Sequence, residues 1–193
     1  MKIFILDNYD SFTYNLVHII EQFATKIIVK RNNECNISEI KDFDKIILSP
    51  GPGLPSEVPI IHEIINKYKE SKSILGVCLG HQSIAEYFGG NIINMPEVNH
   101  GREFETKIIK NDYIFKNVPK TFYSGRYHSW VVNKKDFPNS LEITSIDSKN
   151  QIMSLRHKTY DIRGVQFHPE SIMTKYGKKI LQNWVDFNTK YEV

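Results

Sequence analysis

Cysteine is scarce in this chain of 193 residues, which contains only Cys35 and Cys78. Two thiols cannot form the disulfide framework of a small secreted scaffold. The sequence also lacks Cys-x2-Cys and His-x3-His spacings, which are typical of structural zinc sites. We therefore expect a reduced, cytoplasmic protein without such a zinc site, in which a thiol is available for chemistry.

Long apolar segments are absent as well. No run of residues approaches the roughly 20 that a transmembrane helix requires. Asp7 interrupts the first apolar run after a few residues, so the N-terminus lacks the apolar core of a signal peptide. The sequence thus predicts neither secretion nor an association with the membrane.

An excess of charge of one sign is the third absence. The 25 basic residues are nearly balanced by 22 acidic ones, which leaves a net charge of +3. Lysines such as Lys67, Lys69 and Lys72 are typical of a solvated surface, and we expect no nucleic-acid partner. Repeats, linkers and low-complexity stretches are also missing, so the sequence predicts one domain over residues 1–193.

Short apolar runs alternate with helical patterns in the first half of the chain. The predicted strands are 3–6, 26–29, 46–48 and 74–77, and the predicted helices are 11–23, 57–68 and 81–88. Such alternation is typical of parallel βαβ units in a doubly wound α/β sheet. The second half is richer in short strands, predicted at 105–109, 121–123, 129–133, 142–147, 151–156 and 162–166. A helix at 173–187 is predicted to close the chain.

The surroundings of Cys78 indicate a reactive thiol. A short apolar strand is followed by Gly76-Val77-Cys78-Leu79-Gly80 and then at once by a helical pattern. Small residues two before and two after the central residue are typical of a nucleophile elbow, which exposes that residue at the tip of a sharp turn. A cysteine there lies at a helix N-terminus, which favours the thiolate. The alternative interpretation is a buried structural cysteine between two glycines.

A cysteine nucleophile needs a base, and the best candidate is His168 in the sequence Phe167-His168-Pro169-Glu170. Pro169 disfavours helical geometry at His168, so we expect an extended step that lets Glu170 accept a hydrogen bond from the imidazole. The other ring nitrogen would then face Cys78. Taken alone, the tripeptide His168-Pro169-Glu170 is also compatible with a surface turn.

A glycine- and proline-rich loop supplies candidates for an oxyanion hole. Ser49-Pro50-Gly51-Pro52-Gly53-Leu54-Pro55 follows the predicted strand 46–48 and has few backbone options. Such a loop can hold an N–H group fixed towards a developing negative charge. We expect the oxyanion donors to be the N–H groups of Gly51 and Leu79, although the loop also fits a simple strand-to-helix connector.

Five segments in order along the chain resemble the class I, triad-type glutamine amidotransferases. They are Asp7-Asn8-Tyr9-Asp10-Ser11-Phe12-Thr13-Tyr14-Asn15, Ser49-Pro50-Gly51-Pro52-Gly53, Gly76-Val77-Cys78-Leu79-Gly80-His81-Gln82, Gly125-Arg126-Tyr127-His128-Ser129 and Phe167-His168-Pro169-Glu170-Ser171. The opening segment narrows the resemblance to the small subunits of anthranilate synthase and aminodeoxychorismate synthase. This family implies a flavodoxin-like, mostly parallel sheet with helices on both faces and a small additional β-sheet.

The resemblance also implies a function. Cys78, His168 and Glu170 would form the catalytic triad that hydrolyses glutamine. The glutamine-binding residues would be Gly51, Gly53, Leu79, Gln82, Ser129 and Trp130. Ammonia would pass to a large synthase subunit that binds chorismate and Mg²⁺, whereas this chain would hold no cofactor or metal.

Two positions depart from the family pattern. Trp130 stands where family members commonly carry Leu, so the rim of the glutamine pocket is expected to differ. Arg102 and Glu103 follow His100-Gly101 where Lys-(Thr/Ser) is usual, in a region expected near the partner.

Other functions remain open on the residues alone. A stand-alone cysteine γ-glutamyl hydrolase or peptidase could use the same elbow and His-Glu pair. A metal site formed by Cys78, His168 and Glu170 is a second alternative, and a non-enzymatic regulatory module is a third. Amidotransferases of other pathways, such as guanylate synthesis, share the class, and the residues do not separate the tryptophan pathway from the folate pathway.

Overall fold

The computed structural model describes residues 1–188, and within 96–100 it describes the backbone alone. Over these residues the chain forms one nine-stranded sheet and four α-helices. The strands are β1 Lys2–Asp7, β2 Lys26–Arg31, β3 Lys45–Leu48, β4 Ser73–Val77, β5 Ile92–Ile108, β6 Thr121–Val132, β7 Leu141–Asp147, β8 Ile152–His157 and β9 Ile162–Val165. The helices are α1 Thr13–Ile20, α2 Ile60–Tyr68, α3 Leu79–Tyr87 and α4 Gly177–Asp186.

Five strands form a parallel half of the sheet in the order β2-β1-β3-β4-β9. Their apolar side chains alternate between the two faces, because successive residues of a strand point in opposite directions. In β1, Ile3 and Ile5 belong to the core beneath α1 and α4. Phe4 and Leu6 belong to the core beneath α2 and α3. The predicted doubly wound arrangement, with helices on both faces, is confirmed.

The other four strands form an antiparallel half in the order β8-β7-β5-β6. The expectation of a small additional β-sheet is wrong in one respect, since these strands continue the main sheet. β8 pairs with the free edge of β9 in the register Ser154↔Val165 and Leu155↔Gly164. This pairing satisfies backbone groups that would otherwise be left open at the edge of the parallel half.

Several predicted boundaries also change. The segments 121–123 and 129–133 belong to the single strand β6, whose polar middle includes the buried residues Ser124 and Arg126. The helix predicted from residue 57 begins at Ile60, after the 3-10 turn Pro55–Glu57. The closing helix begins at Gly177 rather than at residue 173. A β-carbon on Gly177 would lie 1.8 Å from the Pro169 carbonyl oxygen, so only glycine allows this close approach.

No helix within residues 1–188 is both long and apolar enough to cross a membrane.

Candidate active site

Cys78 lies between β4 and α3 in a strained backbone conformation, with φ 50° and ψ −98°. Such a conformation is costly for a residue with a side chain and occurs mostly where function requires it. Gly76 and Gly80 make the turn possible. A β-carbon on Gly80 would lie 2.3 Å from the Leu48 carbonyl oxygen, and one on Gly76 would lie 2.5 Å from the Gly80 backbone. The structure therefore has the sharp elbow that the sequence predicted.

The pairing of β4 with β9 brings together Cys78 and His168, the predicted nucleophile and base. Val77 and Val165 are opposite each other in parallel register, so the residues that follow them emerge side by side. The Cys78 N–H donates to the Val165 carbonyl oxygen over 2.9 Å. His168 lies three residues beyond Val165, in the turn that leaves β9. The site thus lies at the carboxyl ends of parallel strands, as expected for a doubly wound sheet.

His168 and Glu170 form a buried hydrogen-bonded pair. The imidazole Nδ1 and the Glu170 Oε1 are 2.6 Å apart, and the residues are only 2% and 6% exposed. Burial by itself lowers the pKa of His168, but the charge of Glu170 outweighs it, and the Cys78 side chain acts in the same direction. The net effect raises the pKa of His168 well above its usual value. The protonated form of His168 is thus favoured relative to a free imidazole, which suits a group that donates a proton.

The second ring nitrogen of His168 is free for chemistry. Its Nε2 is buried and has no hydrogen-bond partner of ordinary geometry within residues 1–188. The ring is held by edge contacts with Tyr127, at a centroid distance of 4.9 Å, and with Phe12, at 5.7 Å. These contacts fix the orientation of the imidazole while its Nδ1 is occupied by Glu170.

The turn that carries His168 is anchored to β6 and to the segment that leads into α4. The His168 N–H donates to the Gly125 carbonyl oxygen over 3.1 Å. Thr174 connects the same two segments, since its hydroxyl donates to the His168 carbonyl oxygen and accepts from the Gly125 N–H. The antiparallel half and the C-terminal region thereby position the base against a nucleophile of the parallel half.

The two predicted oxyanion donors lie next to each other. A β-carbon on Gly51 would lie 2.8 Å from Leu79 Cδ2, so the loop after β3 touches the start of α3. As the first residue of α3, Leu79 has no intrahelical acceptor for its N–H. No acceptor within the described residues takes the N–H of Gly51. Both groups are therefore available to a ligand at this point.

Asn8 and Ser49 brace the Gly51 loop, a role that the sequence analysis did not identify. The buried Asn8 packs closely against Gly51, and a β-carbon on that glycine would lie 2.6 Å from Asn8 Cβ. The Asn8 N–H donates to Ser49 Oγ over 2.9 Å, and its Nδ2 donates to the Ser49 carbonyl oxygen over 3.0 Å. Asn8 occurs in the opening segment of the family resemblance, which was the available signal.

Gln82 and Trp130 meet across the site. The Gln82 Nε2 donates to the Trp130 carbonyl oxygen over 2.9 Å. Ser129 is the neighbour of Trp130 in β6 and is half-buried. Gly53 lies apart in an exposed turn with φ +79°, close to Glu57, whose carboxylate accepts from the Leu54 N–H over 2.7 Å. Of the proposed glutamine contacts, the structure thus joins Gln82 with Trp130 and Gly51 with Leu79.

Gln166 is a second residue that sequence analysis missed. It is fully buried, its Nε2 lies 3.6 Å from Cys78 Sγ, and its Oε1 accepts from Gln82 Nε2 over 3.2 Å. Its position two residues before His168 was visible in the sequence, but an amide gives no signal of its own there.

The described part of the chain has no cluster of three or more His, Cys, Asp or Glu side chains that could hold a metal ion. Because Glu170 is already hydrogen-bonded to Nδ1 of His168, the pair has the arrangement of a base and its orienting group.

Comparisons with known proteins agree with this geometry. The family of class-I glutamine amidotransferases matches residues 4–187. Anthranilate synthase component 2 of Pyropia yezoensis is 45% identical over 190 residues, which cover 96% of this chain and 100% of that protein. Aminodeoxychorismate/anthranilate synthase component 2 of Bacillus subtilis is 41% identical over 188 residues, which cover 95% of each chain.

A solved structure shares the fold. A Thermoplasma acidophilum protein described as a GMP synthase subunit superposes with a TM-score of 0.86 and covers 96% of this chain and 92% of that one. The sequences are only 24% identical, so this likeness concerns the architecture of the sheet and its helices. The family match and the relatives show more: this chain is an enzyme that belongs to the class-I glutamine amidotransferase family.

Proposed function

We propose that this protein is the glutaminase subunit of a chorismate-using synthase. Cys78, His168 and Glu170 are its catalytic triad, and the ammonia that they release serves a large synthase subunit. The observation that carries the proposal is the strained Cys78 elbow beside a buried His168–Glu170 pair with a 2.6 Å hydrogen bond. The full-length similarity to component 2 of anthranilate synthase and of aminodeoxychorismate/anthranilate synthase supports the assignment of the partner.

The chemistry follows from these groups. The Cys78 thiolate attacks the side-chain amide carbon of glutamine, and a carbon–sulfur bond forms as the carbonyl oxygen becomes an oxyanion. The N–H groups of Gly51 and Leu79 stabilise that oxyanion. His168, held protonated by Glu170, gives its proton to the amide nitrogen, and the carbon–nitrogen bond breaks to release ammonia.

Hydrolysis of the γ-glutamyl thioester completes the cycle. His168, now neutral, takes a proton from a water molecule that attacks the thioester carbon. The carbon–sulfur bond breaks, and glutamate leaves with the added oxygen. The proton on His168 and the thiolate on Cys78 are then restored for the next glutamine. This series of reaction steps requires neither a redox change nor a metal ion.

Residues of α3, β6 and the loop after β3 would recognise glutamine. We propose that Gln82 and the backbone of Ser129 and Trp130 bind its amino and carboxylate groups, with Gly53 at the edge of the pocket. The bond from Gln82 to the Trp130 carbonyl supports a common site for these groups. The larger side chain of Trp130, where Leu is usual, is proposed to reshape the rim.

The partner is proposed to be a large synthase chain that binds chorismate and Mg²⁺, in the cytoplasm. Its product would be anthranilate, aminodeoxychorismate or both, since the Bacillus subtilis relative carries both names. Arg102 and Glu103 are exposed on β5, which suits the proposed place near that partner. A native pull-down from the source cells, with the captured partner identified by mass spectrometry, distinguishes these three possibilities.

The first prediction concerns the two cysteines. In a complex reconstituted with the large subunit, Cys78→Ser should reduce glutamine-dependent synthesis by at least about a thousandfold. Synthesis from added ammonium should persist, because the large subunit performs that step. Product formation with glutamine, and separately with ammonium chloride, measures both activities.

Cys35→Ser is the matched control. Burial raises the pKa of Cys35 to about 11, with the charge of Glu39 acting in the same direction, so this thiol is protonated at neutral pH. The variant should keep both activities. Loss of ammonium-dependent synthesis in Cys78→Ser would contradict the division of labour between the subunits. Rapid γ-glutamyl hydrolysis by the isolated chain, with no partner captured from cells, would favour a stand-alone hydrolase instead.

A further inference from the structure

A chain of side-chain amides runs from the backbone of β6 to the nucleophile. Gln82 Nε2 lies 2.9 Å from the Trp130 carbonyl oxygen and 3.2 Å from Gln166 Oε1. Gln166 Nε2 lies 3.6 Å from Cys78 Sγ. Gln82 and Gln166 are 3% and 0% exposed, so water cannot substitute freely for these contacts. The chain connects a proposed glutamine-binding segment with the atom that attacks glutamine.

The carbonyl group of Trp130 fixes the direction of this chain. A carbonyl oxygen accepts and never donates, so both of its side-chain partners must present an N–H. One partner is Gln82, and the other is His128, whose Nδ1 lies 3.1 Å away. Burial lowers the pKa of His128 to about 3, so the ring is neutral and carries its proton on Nδ1. If the amide of Gln82 were reversed, its oxygen would face two other acceptors, the Trp130 carbonyl oxygen and Gln166 Oε1.

The orientation of the Gln82 amide determines the orientation of the Gln166 amide. Because the NH₂ group of Gln82 faces Gln166, the latter must present its oxygen there. The NH₂ group of Gln166 is consequently turned towards Cys78 Sγ, where it can act only as a donor. Three successive bonds thus oblige an N–H to point at the sulfur.

We propose that Gln166 is a catalytic residue of this enzyme, which hydrogen-bonds the Cys78 sulfur and stabilises its thiolate form. A donor aimed at an ionised sulfur stabilises the charged state and also restricts the rotation of the side chain. Through Gln82, the same bond links the nucleophile to the segment proposed to hold glutamine. The catalytic part of this proposal rests on the proposed function, whereas the hydrogen bond itself does not.

Four titratable groups lie next to members of the network along the chain or in space. His168 and Glu170 lie in the turn after β9, two and four residues beyond Gln166. His81 precedes Gln82 in α3, and His128 shares the Trp130 carbonyl oxygen with Gln82. Burial lowers the pKa of His81 to about 4 and that of His128 to about 3, so neither is charged at neutral pH. The charged pair His168–Glu170 is bonded to itself and not to Gln166. A change at Gln166 therefore removes a donor without altering these charges directly.

The test measures the alkylation of Cys78 by iodoacetamide as a function of pH, in a Cys35→Ser background so that one thiol reacts. Gln166→Met keeps a side chain of similar length and removes the donor. The midpoint of the rate profile should move up by about one pH unit, which lowers the rate about tenfold well below the midpoints. The plateau at high pH, where the thiol is fully ionised in both proteins, should stay the same.

Gln151→Met is the matched control. Gln151 makes the same kind of contact, since its Nε2 lies 3.1 Å from the thioether sulfur of Met95. A thioether carries no ionisable proton, and Gln151 lies in the turn between β7 and β8. This variant should leave the profile of Cys78 unchanged. A shift equal to that of Gln166→Met would mean that general loosening, and not the lost donor, causes the effect.

A second variant covers poor folding of Gln166→Met. Gln166→Glu has the same shape and can still accept from Gln82, but it opposes Cys78 Sγ with an acceptor. Its midpoint should move further up than that of the Met variant. An unchanged midpoint in either folded variant, or a reduced plateau without a shift, overturns the proposal. If the shift occurs but the wild-type complex does not use glutamine, the proposed function fails while the hydrogen bond stands.

Discussion

The two halves of the sheet are stabilised by different means. In the parallel half, buried strands such as β3 and β4 pack apolar side chains against helices on both faces. In the antiparallel half, hydroxyl and charged groups are buried and paired with one another. The hydroxyl oxygens of Thr106 and Ser124 are 2.8 Å apart. Nη1 of the fully buried Arg126 lies 2.6 Å from Oδ2 of Asp147.

The contrast explains where the active site lies. β9 is the seam, because it pairs with β4 in parallel and with β8 in antiparallel orientation. The parallel half provides the elbow and the Gly51 loop at its carboxyl edge. The antiparallel half provides polar groups such as the backbone carbonyl of Trp130, which accepts a hydrogen bond from Gln82. The candidate site thus lies where an apolar scaffold meets a polar one.

The largest expected effect tests whether the buried ion pair stabilises the antiparallel half. Asp147→Asn keeps an acceptor for the Lys149 and Gln151 N–H groups but leaves the Arg126 charge without its partner. We expect the free energy of unfolding to fall by about 3–5 kcal/mol, because an unpaired buried charge remains. Urea unfolding of the isolated chain measures the change.

Lys110→Ala provides the comparison within the same half. Lys110 is largely exposed and lies 3.7 Å from Glu142, so its loss should cost at most about 1 kcal/mol. Equal losses in the two variants would show that burial of the Arg126–Asp147 pair has no special importance.

The next largest effect is expected when one glycine in each half is replaced by alanine. A β-carbon on Gly80 would lie 2.3 Å from a backbone oxygen of Leu48, which cannot move without distorting β3. A β-carbon on Gly125 would lie 3.0 Å from Met173 Cβ and Ser171 Oγ. These two residues belong to a loop, which can adjust more easily than a strand. We expect Gly80→Ala to cost about 3 kcal/mol and Gly125→Ala about 1 kcal/mol.

Thermal and urea unfolding of both variants test this order. A larger loss for Gly125→Ala would mean that the polar half is the more rigid one, contrary to the packing described here.

The smallest expected effect is common to both halves, because each contains a buried neutral histidine. Burial lowers the pKa of His81 to about 4, and burial together with Arg126 and His168 lowers that of His128 to about 3. Below about pH 6.5 the unfolded chain binds protons that the native chain does not, so stability falls with falling pH. His128→Gln and His81→Gln should each flatten this fall by about 1 kcal/mol between pH 6.5 and 5.5.

Unfolding by urea at a series of pH values gives the slopes, and His18→Gln, at a largely exposed histidine, is the control for replacing an imidazole by an amide. The raised pKa of His168 has the opposite sign. Its contribution is present at low pH and is lost as the pH rises through the native value. A steeper acid loss after His128→Gln would contradict the assignment of its neutral form.

The parallel half was largely predictable from the sequence. The centres of β1 to β4 are short apolar runs, and the helix stripe that includes Ile61 and Ile65 has a clear period. The elbow and the His168–Glu170 pair were also predictable, because both depend on residues within a few positions of each other. Glycine and proline fix those turns locally, so little tertiary information is needed.

The antiparallel half was predicted less well. The polar run that includes Ser124 and Arg126 interrupts the apolar pattern of β6, although it is buried, because its partners lie on other strands. Gln166 was missed for a similar reason. An amide becomes informative only when its two neighbours, Gln82 and Cys78, are known, and both are more than 80 positions away in sequence.

The central position of β9 has a consequence for the order in which activity arises during synthesis. Cys78 and the Gly51 loop emerge from the ribosome early, whereas Gln166, which contacts the sulfur, follows 88 residues later. A growing chain that ends before β9 has the Cys78 thiol but lacks His168 and Glu170. If these three residues act as proposed, release of ammonia cannot begin until the sheet is closed, and an incomplete protein does not waste glutamine.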